Sequence, residues 1–235
     1  RLTTIATANF GSLDVHREVQ ETLTSLGPGI VYSRLLRLRT GSNDEIPQPS
    51  LLLECDLCES WEMVDPITYR FKLRENVLWQ DISPVSGREL VADDVIFSLN
   101  RQRTQGWANS ALLGNISGIG SDGQYGIVIS LKKDFPDADF MISLADGHTK
   151  IVAPEAVELT GDLRNGPVIG TGPWIWDSEH SAPDIGSVFI KNPNYFEGNL
   201  PFLDELVVKV IKGGQEVQLA SFVKGDVDVY RITPD

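Results

Sequence analysis

The run Tyr69-Arg70-Phe71-Lys72-Leu73-Arg74 limits the fold more tightly than any other stretch of the chain. Its period of two calls for a strand with one face buried and the other in water. A slip of one residue would bury three cations, so the register is fixed by the residues themselves. After Trp79 the period changes: Val95, Ile96 and Leu99 recur at helical spacing from Leu90 onward, and Asp93 and Asp94 fall in the first turn, where the helix dipole favours carboxylates. Val91 stands at the capping position and has no hydroxyl, which costs this helix about 1 kcal/mol relative to a Ser or Thr cap. Between the two elements, Asp81-Ile82-Ser83-Pro84-Val85-Ser86-Gly87 reads as an exposed loop.

The same logic extends to both ends. Thr3 to Thr7 reads as a strand and Gly11 as the turn after it, which puts Asn9 and Phe10 at a strand's carboxyl end. A helix is expected from Arg17 to Leu26, stopped by Gly27-Pro28-Gly29, with Ile30, Val31, Leu35 and Leu36 resuming an apolar face. Ile127 to Leu131 reads as a strand after the turn Ser121-Asp122-Gly123. At the end come a strand from Leu206 to Ile211, a helix from Gln215 to Lys224 with Leu219, Phe222 and Val223 inward, a terminating Gly225, and a strand from Val227 to Tyr230. Such a crossover predicts parallel strands with a right-handed connection. Ligands of open α/β sheets sit beyond the carboxyl ends of such strands, where Tyr230, Arg231, Ile232 and Thr233 lie.

Composition removes several classes of function. With 235 residues and 41% hydrophobic content, the chain can bury a sizeable core. The net charge of −13 argues against nucleic acid as a partner, since phosphate binding needs clustered Lys and Arg. Cationic or zwitterionic ligands stay open. No run approaches the ~18 apolar residues of a membrane span, and Arg1 begins the chain without a basic, apolar leader, so any export signal is expected to have been removed or left out. No catalytic residue is expected: Gly-x-Ser-x-Gly is missing, no histidine falls in a motif with a Cys or Ser nucleophile, and the neighbouring acids Asp93-Asp94 and Asp204-Glu205 diverge in direction. Gly170 and Gly172 lack the Lys-Ser or Lys-Thr of a phosphate loop and are read as serving backbone geometry. The Asp-rich turns lack the spacing of a calcium loop.

Cys55-Asp56-Leu57-Cys58 is compatible with a redox pair, half a zinc site or a local disulfide. His16, His148 and His180 are far apart and lack ligand spacing, so no metal and no cofactor is expected.

Taken in order, Glu59-Ser60-Trp61-Glu62, Tyr69 to Arg74, Asn76-Val77-Leu78-Trp79 and Leu90 to Ser98 resemble the extracellular solute-binding proteins of family 5, which deliver peptides, nickel chelates or oligosaccharides to ABC importers. Gly11-Ser12-Leu13-Asp14 is similar to the family's Leu-Asp-Pro segment, with Val15 in place of the proline. Ile169-Gly170-Thr171-Gly172-Pro173-Trp174, Lys191-Asn192-Pro193-Asn194-Tyr195-Phe196, Pro201 to Leu206 and Gly225-Asp226-Val227-Asp228 follow in family order. Val91 stands where the family usually has Thr or Ser, and the loop after Trp79 is longer than usual.

The resemblance implies a mixed α/β (α+β) fold, a periplasmic-binding-protein-like type II lobe. Its core domain would take residues 1–33 and 169–235, an inserted domain 34–168, and the opposite ligand-binding lobe would be missing from this chain. It implies an extracytoplasmic receptor, periplasmic or at the cell surface and lipid-anchored through a segment outside this chain, acting as a monomer with a membrane permease. Peptides are the expected solute; oligosaccharides on the same fold, or a sensory or protein-interaction lobe, are the alternatives. In the oxidising compartment so implied, a Cys55–Cys58 disulfide stands beside two free buried thiols. Strand-end position and the resemblance together select Asn9, Phe10, Tyr230, Arg231, Ile232 and Thr233 as ligand-facing, with Trp107 reaching the cleft from the inserted domain. Trp61, Trp79 and Trp174 are read as packing and turn residues.

Overall fold

The structure is a computed structural model that describes residues 1–7, 11–39, 51–132, 139–182 and 185–230. Its elements run β1 (Leu2–Ala6), α1 (Glu21–Ser25), β2 (Leu36–Leu38), β3 (Leu53–Cys55), β4 (Cys58–Asp65), β5 (Thr68–Leu73), α2 (Ala92–Gln102), β6 (Ile116–Ser121), β7 (Gly126–Leu131), α3 (Phe140–Ser143), α4 (Pro154–Thr160), β8 (Trp174–Ala182), β9 (Gly186–Lys191), β10 (Glu205–Val210) and α5 (Gln215–Val223). Short 3-10 turns at Pro28–Val31 and Ala108–Leu113 join them.

Two four-stranded sheets organise the chain. The first, in the order β1-β10-β9-β8, brings the start of the chain against its last third: β1 pairs with β10 in parallel, and the other pairings are antiparallel. Phe189, Val207 and Val208 are buried along it. The second, β4-β5-β7-β6, is antiparallel throughout, and β2 with β3 forms a separate pair. Both sheets are open, in a mixed α/β architecture.

The alternating strand is β5, with Phe71 and Leu73 buried and Arg70 and Lys72 in water. Arg70 and Lys72 pair with Glu62 and Glu59 on β4. In α2, Ala92, Val95, Ser98, Leu99 and Gln102 turn inward at spacings of three and four. With Val91 unable to cap, Asp94 reaches back: its carboxylate accepts the Val91 amide at 3.0 Å and takes a two-pronged contact from Arg88 at 2.7 and 2.8 Å. Trp79 is fully buried and donates Nε1–H to the same carboxylate at 3.3 Å.

The turn at Gly170 and Gly172 lies against the backbone of Val31, whose carbonyl accepts the Gly172 amide at 2.9 Å. A Cβ on Gly172 would stand 2.5 Å from that oxygen, so the absence of side chains is what lets the two segments meet. Gln80 ties this turn to the second sheet, donating its amide to the Gly170 carbonyl at 3.0 Å and its side chain to the Trp174 carbonyl at 2.7 Å. Cys55 and Cys58 are joined by a disulfide across the β3–β4 connection.

Several expectations are corrected. Helix α1 is only five residues long, because Asp14 to Arg17 form their own turn, held by the Arg17 amide on the Asp14 carbonyl at 3.1 Å. Within the 81–87 loop, Val85 is buried. Trp61 is exposed, since β4 is an outer strand with only Cys58 buried. Leu219, Phe222 and Val223 do not face a core; α5 has no buried residue among those described. Residues 227–230 form no strand with β10. β1 lies beside β10 instead, and Asp228 docks on the free edge of β1: its amide bonds the Thr3 carbonyl at 2.8 Å, and its carboxylate accepts the Thr3 amide at 2.7 Å. A side-chain oxygen thus does the work of a ladder carbonyl, and no regular pairing follows. Gly225 ends α5 at φ 81°, as its position requires. Among the described residues, no helix is long and apolar enough to cross a membrane.

Candidate functional site

The parallel pair β1 and β10 sets the geometry of the first candidate region. Just beyond the carboxyl ends of both strands lies a cavity of about 430 Å³, lined by Ile5, Thr7, Gly213, Gln215, Val229 and Tyr230 among others. Tyr230 donates its hydroxyl to the Gln215 carbonyl at 3.4 Å, and its ring lies 6.2 Å from that of Phe222. Among the residues expected to face ligand, Tyr230 therefore lines an open cavity at strand ends. Asn9, Phe10, Arg231, Ile232 and Thr233 lie outside the described residues.

Trp107 is not brought to this place. It lines a different cavity, which shares no residue with the first, at the end of α2. Its ring lies 4.8 Å from the Arg101 guanidinium and 5.2 Å from that of Arg17, a cation–π arrangement. Arg101 in turn grips Asp14 with two contacts of 2.9 and 2.6 Å. Asp14 is fully buried and stays ionised: burial raises its pKa, but the Arg101 hydrogen bonds and charge bring it below the ordinary carboxylate value. Trp107 thus covers a buried ion pair that locks the segment after β1 onto α2.

A third cavity, about 560 Å³, lies between α1, the 3-10 turn, β2 and the segment 146–150. Charged side chains from distant parts of the sequence meet in it. Arg37 is neutralised by Glu54 at 2.7 Å and Glu197 at 2.8 Å; burial opposes its charge, but these hydrogen bonds hold it firmly protonated. Asp56 accepts the Arg34 amide at 2.8 Å, and burial raises its pKa against the pull of Arg34. Asp146 accepts the His148 amide at 2.8 Å and faces His148 Nδ1 at 3.1 Å; that hydrogen bond holds its carboxyl below the usual range. Arg34 sends one terminal nitrogen to the Ala145 carbonyl at 2.8 Å, while its buried Nε has no hydrogen-bond partner among the described residues, and neither does His148 Nε2. Lys150 is only 5% exposed. Burial, and then the charge of Arg34, lower its pKa to about 7. Tyr195, Ile30 and Pro173 complete the wall.

Sequence reasoning missed this cluster, because Arg34, Asp56 and Lys150 meet only in three dimensions. One local signal was present: Lys150 interrupts the buried run Thr149 to Ala153. No group of His, Cys, Asp and Glu suited to a metal ion occurs among the described residues.

Comparison with known proteins gives a consistent result. Residues 53–235 match the family model of the bacterial extracellular solute-binding proteins, family 5 middle. The chain is 30% identical over 183 residues to the HTH-type transcriptional regulator SgrR of Yersinia enterocolitica, covering 75% of this chain and 30% of that protein. It is 30% identical over 162 residues to the dipeptide-binding protein of Escherichia coli K12, covering 61% of this chain and 29% of that protein. Among solved structures, the binding protein MoaA of A. tumefaciens R10 in complex with mannopinic acid superposes with a TM-score of 0.80 at 25% identity, over 97% of this chain and 44% of that one. The chain thus spans about 30% of the length of these curated relatives and less than half of this structural neighbour.

Proposed function

Because the chain belongs to the bacterial extracellular solute-binding proteins of family 5, we propose that it forms one ligand-gripping lobe of an extracytoplasmic receptor that hands a peptide to the membrane permease of an ABC importer. Family membership carries this reading, and the 30% identity to a dipeptide-binding protein favours peptides over oligosaccharides. The receptor works by binding and hinge closure: affinity comes from burying solute between two faces, of which this chain supplies one. Tyr230, at the carboxyl ends of the parallel strands, faces that solute, together with Asn9, Phe10, Arg231, Ile232 and Thr233. Residues 1–33 and 169–235 act as the core domain and 34–168 as an insertion, a division supported by the way the two four-stranded sheets separate along the chain.

The test is the melting temperature of the full-length gene product with a pool of di- and tripeptides and, separately, with malto-oligosaccharides. Peptides should raise it and sugars should not, and Tyr230→Ala should reduce the rise while leaving the ligand-free melting temperature nearly unchanged. A rise with sugars alone moves the receptor to the oligosaccharide branch. A second reading is a sensory lobe, favoured by the likeness to a transcriptional regulator over 75% of this chain. Cell fractionation separates the two: a receptor for an importer is found outside the cytoplasm, and a lobe fused to a regulator inside it.

A further inference from the structure

Lys150 presents an unmet demand. The residue is 5% exposed, lines the 560 Å³ cavity, and makes no side-chain hydrogen bond or ion pair with any described residue, Asp56 and Asp146 reaching it only through their charge. An ammonium held in so little solvent without a direct acceptor costs free energy, which an acceptor entering the cavity relieves. The acceptors nearby are engaged elsewhere: Asp56 holds the Arg34 amide, Asp146 holds His148, and Glu54 and Glu197 hold Arg37. Arg34 Nε, buried and unpaired, is a second free donor in the same wall.

We propose that this cavity is a carboxylate-binding subsite in which the Lys150 ammonium and Arg34 Nε–H take the anionic group of a small organic acid, whose aliphatic part rests on Ile30, Pro173 and Tyr195. The carboxylate makes an ion pair between two mutually repelling cations. Its single charge suits a wall that already carries Asp56 and Asp146, against which a dianion such as sulfate is repelled. At about 560 Å³ the cavity has room for more than the carboxylate, within the range of ordinary small-molecule sites. The assignment rests on the receptor reading only in taking the acid to be part of the transported solute; the donor geometry stands without it.

The test is an NMR titration of this chain with sodium butyrate, butyramide and sodium sulfate, followed through the His148 ring signals. It is run near pH 6, below the value of about 7 for Lys150, so that the ammonium is charged. Butyrate should saturate in the millimolar range, with butyramide and sulfate at least ~10-fold weaker. Lys150→Met removes an unpaired buried charge, so the variant should fold at least as well as the parent and lose butyrate binding by ~10-fold or more, while Lys150→Arg keeps most of it. Equal binding of butyramide, tighter binding of sulfate, undiminished binding to Lys150→Met, or no saturation by ~100 mM butyrate would each overturn the subsite. Butyrate binding that depends on Lys150, in a protein whose full-length form retains no solute, would uphold the subsite and remove the receptor reading.

Discussion

Acid should loosen this fold through one histidine. His16 is fully buried, with Nε2–H donating to the Lys150 carbonyl at 2.7 Å and Nδ1 accepting from the Arg101 guanidinium at 3.0 Å. Both ring nitrogens are committed to the neutral form. A second proton would have to sit on Nδ1, facing a permanent cation in a dry site. Burial and then the Arg101 charge lower the pKa from 6.5 to about 4. The unfolded chain therefore takes up a proton as the pH drops below 6.5, whereas the folded chain does so only near 4. The stability held by the neutral ring is complete above the upper value and drains away across that window. At roughly 1.4 kcal/mol per pH unit, the loss amounts to about 3 kcal/mol. His16→Gln supplies a group that does not titrate. Urea unfolding of parent and variant at several pH values should give curves that approach one another, or cross, by about 3 kcal/mol between 6.5 and 4. Asp14 also favours higher pH, but its folded value lies below the ordinary 3.8, so its contribution falls mainly below this window. A constant difference between the curves over that window would refute the assignment of a neutral, Arg101-facing ring.

Three further outcomes are expected. Val91→Thr supplies the missing cap to α2, whose Asp94 amide lies within reach, and should raise stability by about 1 kcal/mol in thermal unfolding; no gain would mean that Asp94 already satisfies the helix start. Gly172→Ala drives a methyl group into the Val31 carbonyl and should cost about 1–3 kcal/mol by urea titration, whereas a neutral effect would show that the two segments can part. Reduction of the purified protein should raise its intact mass by the two hydrogens of one disulfide, matching the Cys55–Cys58 link; an unchanged mass would mean free thiols.

The second sheet was legible because local rules governed it. The alternation in Tyr69 to Arg74 names its own buried face, and the spacing of Val95 and Leu99 names that of α2. Gly225 announced its left-handed turn in the same way. The errors arose where sequence neighbours do not decide. Trp61 stands opposite the buried Phe71 in the register and is nonetheless exposed, because strand order put β4 on the outside. Tyr230 lines the cavity at the strand ends, although the strand expected before it is replaced by the docking of Asp228 on β1. Trp107 lines a separate cavity over Arg101, since aromatic character in the sequence does not say which cavity a ring joins. The cationic cavity left almost no trace, since Arg34 and Lys150 are far apart in the chain and their meaning lies in which acceptors the fold withholds from them.

The central claim, that this protein carries a captured solute, is tested most directly by native mass spectrometry of the full-length gene product, purified gently enough to keep what it holds. The account predicts a series of extra masses that decompose into amino-acid residues. A bare protein mass from cells rich in peptides would contradict it.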